Sequence, residues 1–131
     1  MKQQSRVLIG ILLGMLVFAL KPAMAQDPLE IGPDVYKKVF ENDRVRVLEA
    51  QFKTGSKIAM HSHPDHFAYV LSPGMMRLSY PDGTTKDVEL KIGDVMWLKA
   101  ETHAGENIGT TEVDLLVVEL KESQPNPVPA S

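Results

Sequence analysis

Cysteine is absent from all 131 residues. Small secreted domains often rely on disulfides for stability, so this chain has to rely on its apolar core, helped by a metal ion or a partner subunit. The same absence leaves no site near the N-terminus for a lipoprotein's lipid anchor. A basic surplus is missing too. The chain carries 14 Lys and Arg against 17 Asp and Glu, a net charge of −3, which gives no electrostatic basis for binding nucleic acid or an anionic membrane surface. No stretch shows a helical period with caps, no repeat marks a solenoid, and no glycine loop of the phosphate-cradling kind occurs. Histidine is scarce as well: the chain has four, and three of them stand within six positions, at 61, 63 and 66.

One long apolar run is present, VLIGILLGMLVFAL at 7–20. Lys2 and Arg6 precede it, and KPAMA follows with Ala23 and Ala25 in the small-residue pattern that signal peptidase cuts behind. Residues 1–25 therefore read as a cleavable signal peptide. The alternative is a retained membrane anchor, but the run is shorter than the ~20 residues a spanning helix needs. Cleavage before Gln26 would leave a periplasmic or secreted protein with no membrane attachment. Without Lys2, Arg6 and Lys21 the basic count falls from 14 to 11 against 17 acids, a net charge of −6. Residues 26–33 read as an N-terminal linker, 34–121 as one domain, and 122–131 as a disordered tail rich in proline with little to bury.

Between the ends, short apolar runs alternate with turn signals. VYKKVF (35–40), RVRVLEAQF (44–52), IAMHSH (58–63), FAYVL (67–71), MRLSY (76–80), TKDVELK (85–91), VMWLK (95–99) and EVDLLVVELK (112–121) read as strands. PDG at 81–83 is a hairpin signal, because proline presets the turn and glycine accepts its unusual dihedrals. Two-residue alternation with punctuation about every ten residues is the pattern of an all-β antiparallel sandwich or barrel.

Alternate side chains of a strand share a face, so His61 and His63 project the same way, near enough to reach one ion at roughly 2.0–2.2 Å. Pro64 and Asp65 then turn the chain. If the two strands pair as neighbours, His66 leans over the same spot, and Ala68 and Val70 share its face as candidate substrate-pocket residues. The alternatives are solvated rings on a polar edge strand and, for His66, a turn residue facing solvent. Trp97 and Met96 read as core packing, Arg77 as an exposed strand arginine, and Glu101 as a solvated turn charge.

Two motifs organise these residues. Gly55 is followed by five residues and then His61-x-His63; Gly93 is followed by five residues, Lys99, Glu101, His103, three residues and Asn107. On these the chain resembles the small single-domain bacterial cupins, over about residues 34–121. The resemblance implies an antiparallel cupin barrel of the jelly-roll, RmlC-like type, a homodimer, and a metal held by His61, His63 and His103. The family's usual glutamate ligand is absent at its nominal place, where Phe67 and Ala68 stand. Counting back four from Val70 puts His66 in its stead. Proline and glycine are usual where Lys99 and Glu101 stand, which puts the backbone path before His103 in question.

A four-histidine site leaves the charge of the ion uncompensated by any carboxylate ligand. The implied cofactor is one transition metal ion, with iron, manganese, zinc, nickel and copper all open. Six-coordination would leave two positions for substrate, whereas a tetrahedral site would be closed and structural. Protons should compete for the imidazoles near pH ~6.5. Two functions remain: a metal-dependent oxidoreductase, dioxygenase-like, on a small enolisable or diketone-like substrate, and a non-catalytic periplasmic module that binds a small ligand or metal.

Overall fold

The computed structural model describes residues 26–122. Residues 1–25, read from the sequence as a signal peptide, and the tail beyond Glu122 lie outside the described residues. One helical turn, α1 (Pro28–Ile31), precedes nine strands: β1 (Tyr36–Glu41), β2 (Val45–Phe52), β3 (Lys57–His63), β4 (His66–Ser72), β5 (Gly74–Ser79), β6 (Thr85–Leu90), β7 (Val95–Leu98), β8 (Glu101–Asn107) and β9 (Val113–Leu120). They form a five-stranded sheet, β1-β2-β9-β4-β7, and a four-stranded sheet, β3-β8-β5-β6. Every pairing is antiparallel.

The inward faces supply the core. Leu48 and Ala50 of β2, Ala68 and Val70 of β4, and Val113, Leu115 and Val117 of β9 meet Ile58 of β3 and Met76 of β5 between the sheets. The alternation in β9 is complete: each of positions 113, 115, 117 and 119 is buried. Glu119 is therefore a carboxylate on the apolar face of its strand.

Residues 26–33 are not a linker. Asp27 caps α1 by accepting the Leu29 N–H at 2.8 Å, the buried Pro28 opens the turn, and the Gln26 carbonyl accepts the Ser62 N–H. Asp27 also takes an ion pair from Arg46 at 2.6 Å. Buried apolar surface and a cap hold this segment against the barrel.

The sequence reading placed no strand at 101–107, and β8 occupies it. Its inward residues are His103, Gly105 and Asn107, so no apolar alternation marks it. The motif glycines at 55 and 93 take φ values of +77° and +86°, a region that favours residues without a Cβ. Each sits in the turn that leads into a strand next to the histidine cluster or behind it.

Candidate metal centre

Strand β3 carries Ile58, His61 and His63 all inward. His61 is three positions after Ile58, and strict alternation would put those two on opposite faces. The register against β8 absorbs the odd residue: Ile58 opposes Gly105 while His61 opposes His103, with a bulge between. Bulges re-aim side chains in this way beside many functional sites. Here the bulge keeps Ile58 in the core and both histidines on the floor of the barrel.

His66 joins them by a different route from the one expected. Strands β3 and β4 do not pair; β3 pairs with β8, and β4 pairs with β7 and β9 in the other sheet. The turn at Pro64 and Asp65 carries the chain across the barrel, so His66 faces His63 from the opposite sheet. Their ring centroids are 4.7 Å apart. The Asp65 side chain braces this corner by accepting the Ala100 N–H at 2.7 Å, and its carbonyl accepts the Leu120 N–H. All four histidines are at most 6% exposed, so none is a solvated surface ring.

The tautomers follow from the acceptors. Nδ1 of His61 donates to the Ala59 carbonyl (2.9 Å), Nδ1 of His66 to the Pro64 carbonyl (2.8 Å), Nδ1 of His63 to Glu119 (2.7 Å) and Nδ1 of His103 to Glu101 (2.8 Å). Carbonyls and carboxylates only accept, so every Nδ1 carries its proton and, in a neutral ring, every Nε2 is a bare lone pair. Metal-ligating histidines are commonly oriented by such partners. One ligand atom from each of His61, His63 and His103 lies within 4.8 Å of the others. Two atoms on one ion with bonds of ~2.1 Å sit at most ~4.2 Å apart, so a pair at the 4.8 Å limit has to close by at least about 0.6 Å when the ion binds. These three residues could hold a metal ion.

Glu119 is 2% exposed and Arg46 donates to its second oxygen at 2.6 Å. Burial alone would raise its pKa, but the hydrogen bonds from His63 and Arg46 outweigh that and hold it below the usual carboxylate range. The carboxylate charge that the ligand set lacks is thus supplied one bond further out, by Glu119 and Glu101. Reading Glu101 as a solvated turn charge is corrected by its bond to His103. Glu119 and Arg46 were missed, although a glutamate in the inward phase of a valine and leucine strand was a signal in the sequence. Burial lowers the pKa of His61 to about 4 and that of His103 to about 3, with the other histidines adding to the effect. Burial lowers His66 too. The expected proton competition near pH 6.5 moves down accordingly.

The cluster lies at the floor of a cavity of about 190 Å³ whose walls include Phe52, Met76, Val88, Leu90 and Met96. Ala68 is among its lining residues. Val70 is not: it is fully buried in the core, because it lies four residues, about 13 Å, along the strand from His66. Trp97 is 56% exposed rather than packed in the core. Arg77 is held by Asp87 in a two-bond ion pair on the surface.

No protein-family model matches the chain, and no curated protein matches it either. Solved structures do. A cupin domain from Bordetella pertussis Tohama I matches with a TM-score of 0.62 at 25% identity, over 66% of this chain and 92% of that one. The chain has the cupin fold. A conserved protein with a double-stranded β-helix domain from Klebsiella pneumoniae matches at 0.53 and 25% identity, over 68% of this chain and 84% of that one. The polyketide cyclase RemF from Streptomyces resistomycificus matches at 0.52 and 26%, over 69% and 66%. Within this cupin barrel, the two motif histidine groups come from neighbouring, paired strands of one sheet, and His66 comes from the other.

Proposed function

We propose that this cupin is a periplasmic or secreted metal-dependent oxidoreductase, an oxygenase acting on a small enolisable or diketone-like substrate. The observation that carries the reading is four buried histidines lining one cavity with apolar walls, three of them, His61, His63 and His103, with ligand atoms within 4.8 Å of one another. A closed structural site would have no use for such a cavity. His61, His63, His66 and His103 would hold one transition metal ion, which supplies Lewis acidity and, where redox-active, an electron relay. Iron, manganese, nickel and copper suit that role, and zinc only the Lewis-acid part of it.

The protein's own residues then exclude water and orient the substrate. Among the described residues no carboxylate lines the cavity, so the enolate would be bound already formed. In the overall reaction a carbon–carbon bond of the diketone breaks, both atoms of dioxygen enter the products, and no external reductant is needed. The likeness to a polyketide cyclase supports this substrate class, since polyketide chains carry repeated β-diketone units.

The second reading is a non-catalytic binding module, favoured by that same lack of a carboxylate base. Anaerobic loading of residues 26–131 with each metal, followed by oxygen uptake on β-diketones and phenols, separates the two. Substrate-dependent uptake abolished by chelator is the expected result. Stability lost with chelator, without turnover under any metal, would establish the module instead. A chain that retains no metal after loading would sink both.

A homodimer belongs to the same proposal. Strand register sets Trp97, Phe67, Val118, Val47 and Phe40 in one row across all five strands of the larger sheet. Trp97 and Phe40 are more than half exposed. Apolar rows of this kind mark interfaces, and a two-fold axis would lay the row of one copy on that of the other.

A further inference from the structure

Tyr36 is the one buried polar side chain, apart from the histidines, among the residues that line the cavity. It enters from β1, where it sits opposite Ala50. Its ring stands edge-on to Phe52, with centroids 6.3 Å apart, and 5.5 and 5.8 Å from the rings of His61 and His63. The hydroxyl lies 3.4 Å from Nε2 of His61 and 3.5 Å from Nε2 of His63, and among the described residues it has no other partner. Both contacts are long for an O–H···N bond, and one proton can serve only one of them.

Those two lone pairs are the ones a cation would take. Once they are taken, the phenol has no acceptor left among the described residues, and a buried donor without a partner is unfavourable. The hydroxyl oxygen lies at nearly equal distances from the two Nε2 atoms, beside the place where a ligand of the ion would lie. We infer that Tyr36 is a ligand-recognition residue, whose hydroxyl donates to an acceptor atom of an anion held beside the four imidazoles. It would favour enolates, carboxylates and similar anions over neutral donors that offer no free lone pair. The apolar walls add no competing donor at that depth, while Lys86, at the exposed end of the lining, adds a positive charge. This inference rests on the metal-binding reading of the site.

The test compares wild type with Tyr36→Phe, both loaded with cobalt(II) and followed by the visible spectrum. Each is titrated with azide, which keeps lone pairs after binding, and with imidazole, which keeps none. Tyr36→Phe removes a single atom from a packed ring, so the fold is retained. Cobalt affinity should stay within about twofold of wild type, azide affinity should fall about tenfold as for a hydrogen bond to a charged acceptor, and imidazole affinity should not move. Equal azide affinities overturn the inference and leave the metal site standing. Equal losses for azide and imidazole also overturn it, because the hydroxyl would then act through packing alone. Loss of cobalt from the variant overturns it by making the phenol a metal ligand. Wild type that takes up no cobalt overturns it together with the reading on which it rests.

Discussion

Four Nδ1 protons are committed to four fixed acceptors, and the two carboxylates among them differ in burial. The Glu119 side chain is 3% exposed and shared with Arg46, whereas that of Glu101 is 23% exposed. Glu119→Gln removes a buried charge that orients His63, and metal affinity should fall roughly 10–100-fold, the range seen when such supporting groups are lost. Glu101→Gln should cost less, because water can reach its place; competition with a chromogenic chelator ranks the two. His66→Ala should weaken affinity by ~10-fold or more if its ring is a ligand, and unchanged affinity would remove it from the ligand set. The imidazoles also set a pH dependence. The folded pKa values of His61 and His103, about 4 and about 3, lie below the ordinary value of 6.5, so the unfolded chain takes up protons first. Stability of the metal-free protein from these groups is full above pH ~6.5 and is lost progressively as pH falls toward 4 and 3. Urea midpoints recorded between pH 8 and 4 should decline in that direction.

At the scale of elements, the β3 bulge and the Pro64–Asp65 corner do most to build the site. His61 and His63 were legible because a strand puts alternate residues on one face. His66 was legible as a neighbour but not by its route, since pairing of β3 with β4 was the simplest hairpin and the chain crosses to the other sheet instead. Strand β8 was illegible because histidine, glycine and asparagine fill its inward positions, where periodicity needs apolar residues. Asn107 shows why that composition still works: its amide donates to the carbonyls of Phe52 and Thr111, and its oxygen accepts the Gly109 N–H. Asp65→Ala should lower stability by about 1 kcal/mol, the net worth of one hydrogen bond. It should also loosen the turn before His103. Urea unfolding reads the first effect, and a metal affinity reduced less than in Glu119→Gln reads the second.

For the whole molecule, two surfaces matter: the cavity between the sheets and the outer face of the larger sheet. Trp97 and Phe40 lie at opposite ends of the apolar row, so a double change to glutamate would bury four charges in a two-fold pairing of that face. Sedimentation should find a dimer for the wild type and a monomer for Trp97→Glu with Phe40→Glu, with the metal retained. A monomeric wild type at high protein concentration would remove the dimer from the proposal.

Residue order alone determined the all-β class, the strand count but for one, and the shared face of His61 and His63, because alternation and turn chemistry are local properties that a linear pattern records; His103 entered only through the motif the chain shares with cupins. What the tertiary structure decided depends on groups far apart in the chain. Glu119 reaches His63 across 56 positions, and Tyr36 reaches the same ring across 27. Arg46 joins Asp27 to Glu119. Each of these contacts is set by sheet register and barrel closure, which only the packed core fixes.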